Sequence, residues 1–229
     1  MRMLHHLRGA WRGNKGFMVF LGLMFVFRSA IADWNYVPSS SMNPTLLAGD
    51  RVLIDKRAYS LRVPFTLQEV ARWAEPQRGD VVTFDSPEDG INLIKRVVAV
   101  GGDEVAMVDN VLHVNGKVQE RVLIDAARAV PTEYGRINEE IWLETLNETP
   151  ISVARIPHVN RLTDFAPVRV PQGHVLVLGD NRDNSRDSRF LGFIDIRRVT
   201  GKAVRVALSH DPEHLYLPRS DRWWLPLHL

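Results

Sequence analysis

Residues 93–108 read LIKRVVAVGGDEVAMV, and the pattern of this stretch indicates the fold class. Two runs rich in Val, Ile and Leu, at 93–100 and 104–108, flank a Gly-Gly-Asp turn, which is the pattern of two consecutive strands. Similar runs recur at short intervals, at 51–55, 81–84, 111–114, 174–178 and 202–208. Gly-Asp pairs separate several of them, at 49–50, 79–80, 102–103 and 179–180. The sequence therefore predicts a mainly β protein built on an antiparallel β-sheet core.

Two local signals add detail to this prediction. Asn115-Gly116 follows a strand-like run and is a favoured two-residue hairpin turn, so a second strand should begin directly after it. Thr66 and Glu69 have the spacing of a capping box, which predicts one short helix over 67–74.

The chain has 229 residues, enough for one large domain or two small ones. Its hydrophobic fraction of 45% and charged fraction of 24% are typical of a globular protein. Between residues 125 and 170 the β periodicity weakens and charged residues become more frequent. We therefore expect a small β subdomain, over about 104–170, inserted into one β domain that spans 35–229.

Composition excludes several classes of protein. A mean hydropathy of −0.14 excludes a polytopic membrane protein. The absence of cysteine excludes disulfides, a cysteine nucleophile and thiolate metal sites. The net charge is +2, but residues 1–28 carry five basic side chains and no acid, so the remaining residues carry −3. Because a nucleic-acid-binding protein usually carries its basic surface on the folded domain, we expect no nucleic-acid partner.

The N-terminal segment has twelve consecutive residues without a polar side chain, GFMVFLGLMFVF at 16–27. With the Ala30-Ile31-Ala32 motif it could be a cleavable signal peptide, and a buried core helix is a further reading. Arg28 is awkward for cleavage, because the residues just before a cut should be small and neutral. A retained anchor is favoured, with 1–15 as a cytoplasmic basic leader, 16–34 as a transmembrane helix and 35–229 on the outer side.

The run PSSSMNPT at 38–45 could be a linker, or it could hold a nucleophilic serine on a loop made rigid by two prolines. A serine nucleophile needs a base, and none of the eight histidines lies in a triad-like context. Lys95, inside an apolar run, is the other candidate base. A free lysine is only about 0.04% neutral at pH 7, so this role requires that Lys95 be buried, whereas an outward-facing lysine would have none.

The densest polar run, GDNRDNSRDSRFLG at 179–192, follows a strand-like segment. It could be a solvated loop, or an internal frame of salt bridges and hydrogen bonds. A calcium loop starting at Asp183 is excluded, because Ser188 stands where glycine is needed and Ile194 where glutamate is needed.

Four stretches together resemble one family. They are PSSSMNPTLLAGDRVLIDK (38–56), RGDVVTF (78–84), LIKRVVAVGGD (93–103) and GDNRDNSRDSRFLGF (179–193), in this order after an apolar N-terminal segment. The sequence is similar to the bacterial type I signal peptidases (leader peptidases), which are membrane-anchored Ser/Lys endopeptidases. The resemblance implies that family's coiled β fold, with one N-terminal transmembrane helix here and an inserted small β subdomain.

The resemblance also implies roles for individual residues. Ser41 matches the nucleophile and Lys95 the general base. Ser39 matches the serine whose hydroxyl forms the oxyanion hole together with the backbone N–H of Ser41. Ser185 matches a serine that hydrogen-bonds to the lysine and orients it, and Asp187 with Arg189 matches a structural ion pair near the site.

The implied reaction is removal of signal peptides from secretory preproteins after Ala-x-Ala sites, through an acyl-enzyme and without a metal ion or an organic cofactor. The implied location is the bacterial inner (plasma) membrane, with the site on the outer (periplasmic or extracytoplasmic) side at the phospholipid surface. The sequence sets no oligomeric state.

Three alternatives remain open at this level. A self-cleaving Ser/Lys regulator of the repressor type would share the core, but it would have a DNA-binding module in place of the apolar N-terminal segment. A specialised peptidase of the same clan would have a single substrate. A catalytically silent, membrane-tethered β domain would only bind partners. The C-terminal RWWLPLHL (222–229) could be a last core segment or could touch the membrane.

Overall fold

The computed structural model describes residues 15–30, 32–63, 66, 68–132, 135–157 and 164–227. Its α-helices are α1 (Lys15–Ala30) and α2 (Ser188–Leu191), and short 3-10 turns cover Ile196–Arg198 and Ser220–Arg222. The strands are β1 (Ala32–Tyr36), β2 (Asp50–Asp55), β3 (Ser60–Arg62), β4 (Glu69–Arg72), β5 (Val81–Asp85), β6 (Asn92–Val100), β7 (Glu104–Val108), β8 (Val111–Val114), β9 (Lys117–Val118), β10 (Arg121–Thr132), β11 (Gly135–Leu146), β12 (Thr149–Arg155), β13 (Phe165–Arg169), β14 (His174–Leu178), β15 (Ile194–Asp195), β16 (Val199–Asp211), β17 (Leu217–Pro218) and β18 (Leu225–Pro226).

The largest sheet has nine strands, with the order β1-β2-β16-β5-β6-β14-β15 and with β17 and β18 paired to β16. Its pairings are antiparallel, as the sequence predicts. The long β16 lies between β2 and β5, and β6 lies between β5 and β14. A strand with a neighbour on each side and apolar residues on both faces is shielded from water, and β6 is accordingly buried from Lys95 to Ala99.

Most of the predicted insertion (about 104–170) lies in two smaller sheets, β13-β7-β8-β9 and β10-β11-β12. The predicted hairpin turn is confirmed, because Asn115 and Gly116 both have positive φ and join β8 to β9. Both small sheets share a hydrophobic core with the large sheet: Val98 and Leu178 pack in one cluster with Met107 and Leu146. The strands of this region are therefore packed against the strands that carry the candidate site.

The predicted helix over 67–74 is wrong where the structure describes it. Residues 69–72 form β4, which pairs with β3 in a two-stranded hairpin. The Thr66 hydroxyl donates to the Val63 carbonyl and accepts from the Gln68 N–H, so it stabilises the turn of the hairpin instead of capping a helix. A helix of eight residues has little stability of its own, so pairing with β3 decides the conformation.

The predicted transmembrane helix (16–34) coincides in part with α1, a helix of 16 residues that ends at Ala30. Its predicted last residues, Ala32–Trp34, are not helical but form part of β1, because they pair with β2. Among the described residues, none of the helices combines the length and the apolar character needed to cross a bilayer. Residues 1–14 and Ile31 lie outside the described residues. At the other end of the chain, β18 pairs with β16 and Leu227 is buried in the core, whereas Trp223 and Trp224 are exposed.

Candidate active site

Ser41 lies in the turn segment that joins β1 to β2. Met42 and Leu46 in the same segment are fully buried, and the Leu46 N–H donates to the Met42 carbonyl over 2.9 Å. At the base of the segment, backbone bonds join Val37 to Asp50 and Gly49 to Val37. The apolar side chains therefore fasten the loop to the core and leave Ser41 half-buried beside them.

Lys95 lies on β6, paired in register with Val82 of β5, and only 3% of its surface is exposed. Its Nζ is 2.8 Å from the Ser41 Oγ and 2.8 Å from the Ile94 carbonyl oxygen. The two residues are 54 positions apart in the sequence. The structure thus brings the serine and lysine that the sequence singles out into direct hydrogen-bond contact.

The environment of Lys95 favours the neutral amine. Burial lowers the pKa of Lys95 to about 8, although the carboxylates of Asp187 and Asp180 act in the opposite direction. With a pKa of about 8, roughly a tenth of the amine is neutral at pH 7, compared with about 0.04% for a free lysine. A buried amine of this kind can accept a proton from a bound hydroxyl group.

The two other predicted serines differ in their contacts. The Ser39 hydroxyl lies 3.4 Å from the Ser41 Oγ, on the exposed side of the loop. The Ser185 Oγ is buried and makes no hydrogen bond to any atom that the structure describes. The predicted hydrogen bond between Ser185 and Lys95 is therefore not formed here.

Asp187 and Arg189 form the predicted ion pair, with two bonds of 2.9 and 2.8 Å between the guanidinium and the carboxylate. Asp187 is fully buried and also accepts from the Gly179 N–H over 2.9 Å. Burial opposes its ionisation, but the bonds and charge of Arg189 hold the pKa of Asp187 below its usual value. Arg189 therefore keeps Asp187 ionised, and this carboxylate favours the protonated form of Lys95.

The loop that carries these residues lies against Ser41. The Asn181 N–H donates to the Ser41 carbonyl over 3.1 Å, and the Asn184 side chain donates to the Ser40 hydroxyl over 2.9 Å. A methyl group on Gly179 would lie 2.5 Å from the Ser41 carbonyl oxygen and 2.3 Å from the Ser185 Oγ. Only glycine lets the two loops approach this closely.

Among the described residues, no three His, Cys, Asp or Glu side chains cluster as a metal site requires. The Ser41 hydroxyl is hydrogen-bonded to the buried amine of Lys95, and the Ser41 carbonyl accepts from Asn181 in the loop after β14. A hydroxyl held beside a buried base in this way can act as a nucleophile.

Comparison with known proteins agrees with this interpretation of the site. The family model for signal peptidase, peptidase S26, matches residues 11–208. The chain belongs to the signal peptidase family, peptidase S26.

Individual signal peptidases are similar over most of their length. The signal peptidase I of Pseudomonas fluorescens is 35% identical, over 91% of this chain and 76% of its own. The enzyme of the same name from Aquifex aeolicus (strain VF5) is 33% identical, over 84% and 82%. The crystal structure of a signal peptidase I from Enterococcus faecalis V583 has 27% sequence identity, covers 56% of this chain and 97% of its own, and gives a TM-score of 0.36. The prediction that this chain is a signal peptidase enzyme is confirmed by the family match and by these relatives.

The sequence leaves open a frame of salt bridges at 179–192, but it does not identify the buried partners that support the signal peptidase site. Arg96, directly after Lys95, makes two bonds of 2.8 and 2.7 Å to the buried Asp180. Arg182 makes two bonds of 2.8 and 2.6 Å to Glu144, and both side chains are almost fully buried. The alternating charges of 179–192 were the only signal for these pairs, and the partners lie far away in the sequence.

Glu139 of β11 was also missed. Its carboxylate accepts from the side-chain amides of Asn43 and Asn181 over 2.5 and 2.8 Å. Burial raises the pKa of Glu139, while the two amides and Arg128 act against this shift. An acidic residue in a strand rich in charge looks like part of a solvated face, so the sequence gives no sign of this contact.

Proposed function

We propose that this chain is a membrane-bound serine endopeptidase that removes N-terminal signal peptides from exported preproteins, with Ser41 as nucleophile and Lys95 as general base. The observation that carries the proposal is the 2.8 Å contact between the Lys95 Nζ and the Ser41 Oγ, made by a buried amine with a pKa of about 8. Neither a lysine on an exposed strand face nor a serine in a loose linker would have this geometry.

In this proposal the neutral Lys95 amine accepts the Ser41 hydroxyl proton as the Oγ attacks the scissile carbonyl carbon. The lysine then gives the proton to the leaving amine, and an acyl-enzyme on Ser41 remains. Water attacks the ester carbonyl with Lys95 again as base. The bond between the acyl carbon and the Ser41 Oγ then breaks, Lys95 returns the proton to the Ser41 Oγ, and the signal peptide leaves with a free carboxylate. The carboxylates of Asp187 and Asp180 favour the protonated lysine that forms in each step.

The tetrahedral intermediates need donors for their oxyanion. The backbone N–H of Ser41 and the hydroxyl of Ser39 are the proposed pair. The position of the Ser39 hydroxyl, 3.4 Å from the Ser41 Oγ, supports this role, because it faces the nucleophile from the exposed side. Ser185 is proposed to orient Lys95 once Ser41 has lost its proton, because its buried hydroxyl lies beside Gly179, where the two loops approach each other.

The proposed substrates are secretory preproteins with Ala-x-Ala-type sites. Small residues at these two positions fit shallow apolar pockets that larger side chains cannot enter. The relatives' name, signal peptidase I, supports this substrate class.

We further propose that the apolar part of 16–34 anchors the enzyme in the bacterial inner membrane, with 1–15 in the cytoplasm and 35–229 on the outer side. Because Ala32–Trp34 belong to β1 and pair with β2, the anchoring part ends before them. Support comes from the twelve apolar residues at 16–27, the basic residues before them and the exposed apolar side chains of Phe17, Val19 and Phe20 on α1. Five residues from Tyr36 to Ser41 reach at most about 18 Å, so the site would stay close to the phospholipid surface.

The test is cleavage of a preprotein with an Ala-x-Ala site by the full chain in detergent, with product masses read by mass spectrometry. We expect wild type to cut after the second alanine, and Ser41→Ala and Lys95→Ala to remain folded and inactive. Ser209→Ala, which changes a buried serine of β16, is the matched control and should keep its activity.

Three results would contradict the proposal in different ways. A folded but inert wild type would favour a silent binding domain or a single dedicated substrate. Full activity of Lys95→Ala would remove the lysine from the mechanism. Extraction of the protein from membranes by alkaline carbonate would contradict the proposal that it has a transmembrane anchor.

A further inference from the structure

Glu139 connects the inserted sheets to both catalytic loops. It lies on β11, and only 2% of its surface is exposed. One carboxylate oxygen accepts from Asn43, two residues after the nucleophile, and the other accepts from Asn181, in the loop after β14. The two bonds span 96 and 42 residues of sequence, so they join three separate parts of the chain.

We propose that Glu139 is a positioning residue for the reaction, which holds the backbone of Ser41 in place through Asn43 and Asn181. This inference rests on the proposed function, because it takes Ser41 as the nucleophile. It gives the sheet β10-β11-β12 a part in catalysis that neither the motifs nor the family match assigns to it.

The contacts form a closed ring around Ser41. The Asn181 N–H donates to the Ser41 carbonyl, the Asn181 side chain donates to Glu139, and Asn43 donates to Glu139 from the other side. Asn43 is covalently linked to Ser41 through Met42, and this closes the ring. Since the ring fixes the peptide units on the C-terminal side of Ser41, it limits rotation of the residue and so fixes the direction of its Oγ.

The chemistry of the ring requires a carboxylate or a close substitute. Two amide N–H groups converge on Glu139 from different loops, and the carboxylate offers a separate oxygen to each of them, whereas an apolar group offers none. The side-chain amide oxygens of Asn43 and Asn181 are buried and have no hydrogen-bond partner in the described part of the chain. Loss of Glu139 would therefore leave both buried amides without any side-chain bond, and the loops would be free to shift.

The neighbouring residue shows that the contact is specific to one position. Glu140 is next on β11, and its carboxylate accepts from the Trp142 indole N–H over 3.0 Å. Because side chains alternate between the two faces of a strand, these adjacent acids serve different surfaces. Glu140→Gln keeps the hydrogen-bond acceptor and is a matched control at the adjacent position.

The first arm of the test measures kcat and KM of the full chain in detergent, per active site titrated with a serine-reactive inhibitor. We expect Glu139→Ala to lower kcat by roughly 10- to 100-fold with little change in KM, as displacement of a reacting group does. Glu139→Gln retains one acceptor oxygen and an amide that can donate to a free asparagine oxygen, so it should recover most of the rate. Glu140→Gln should match wild type.

The second arm does not depend on cleavage. Amide hydrogen exchange in the peptides around Ser41 and Asn181 should rise in Glu139→Ala and stay at the wild-type level in Glu140→Gln. Asn43→Ala should raise exchange around Ser41 in the same way. In the double variant Glu139→Ala/Asn43→Ala, kcat should fall by a smaller factor than the product of the factors measured for the two single variants. This pair keeps the test valid if one variant folds poorly.

The outcomes separate the two proposals. Unchanged exchange in Glu139→Ala and Asn43→Ala, or an unchanged kcat per titrated site, overturns the positioning role. A wild type that cuts no preprotein, with exchange that rises in Glu139→Ala, supports the ring and contradicts the proposed function. A fall in the titrated fraction alone, with kcat per site unchanged, would show that Glu139 serves stability and not positioning.

Discussion

The Cα of Gly179 lies so close to the Ser41 carbonyl oxygen that no side chain fits between them. A Cβ at this position would be 2.5 Å from that oxygen and 2.3 Å from the Ser185 Oγ. The Gly179 N–H is also held by Asp187 over 2.9 Å, so the glycine cannot move away without the loss of a buried bond. The nucleophile loop and the loop after β14 thus meet at one glycine.

Gly179→Ala should therefore impair both stability and cleavage. The added methyl group meets backbone on one side and a buried side chain on the other, so the loops must separate and the contact between Lys95 and Ser41 should lengthen. We expect a Tm several degrees lower and a loss of kcat of at least about tenfold. Gly22→Ala, whose methyl group meets nothing within 4 Å, is the control and should retain both. Wild-type rates in Gly179→Ala would show that the close approach is not needed.

Cleavage should depend on pH through Lys95. The active form is the neutral amine, so kcat/KM should rise with pH and reach half of its plateau near the pKa of about 8. The measurement is kcat/KM for a peptide with an Ala-x-Ala site between pH 5 and 10, with thermal stability followed in parallel. A half-maximum near pH 6.5 would point to a histidine base and contradict the assignment.

The same buried lysine should reduce stability. Its pKa is about 8 in the folded chain and close to 10.5 when the chain unfolds, so the folded state binds protons less tightly. The resulting penalty is fully present below pH 8 and disappears as the pH rises towards 10.5. Lys95→Met keeps the shape and removes the charge, and we expect it to be more stable at pH 7 by up to about 3 kcal/mol, while inactive.

Denaturant unfolding of wild type and Lys95→Met at pH 7 and pH 10 tests this expectation. The difference in free energy of unfolding should shrink at the higher pH, because wild-type Lys95 is then largely neutral in the folded state. A Lys95→Met protein less stable than wild type at pH 7 would show that the contacts of the amine outweigh its desolvation.

Two serines with buried hydroxyls, Ser185 and Ser188, should respond differently to loss of the hydroxyl. Ser188 Oγ accepts from the Val177 N–H over 3.0 Å, whereas Ser185 Oγ makes no hydrogen bond to the described residues. Ser188→Ala should cost about 1–3 kcal/mol of stability, since it leaves a buried N–H without a partner. Ser185→Ala should keep or raise stability and yet lower kcat/KM by at least about tenfold, if its hydroxyl orients Lys95 during the reaction.

Thermal unfolding and preprotein cleavage by the two variants separate these effects. Full activity of Ser185→Ala would contradict the role that the family resemblance implies for Ser185, which is to orient Lys95. A destabilised Ser185→Ala would mean that its hydroxyl has a partner in solution.

The β character of the core follows from the sequence alone, because strands are local patterns of apolar residues and turns. The sequence also singled out Ser41 and Lys95 as candidates, since motifs such as SSSMNPT and LIKRVV are contiguous. It was wrong at 67–74, where a capping signal is local but pairing with β3 is not. At 67–74 a local helix signal and pairing with another strand favoured different conformations, and the strand pairing prevailed.

The contact between Ser41 and Lys95, in contrast, depends on tertiary packing. The 2.8 Å contact of Lys95 with Ser41 and the burial that lowers the lysine pKa come from the packing of β6 between its neighbours. The bonds of Glu139 join residues 42 and 96 positions apart, and nothing in the local sequence distinguishes this acid from Glu140 beside it. Hydrogen bonds and desolvation depend on distances between remote segments, and those distances are set only when the chain folds.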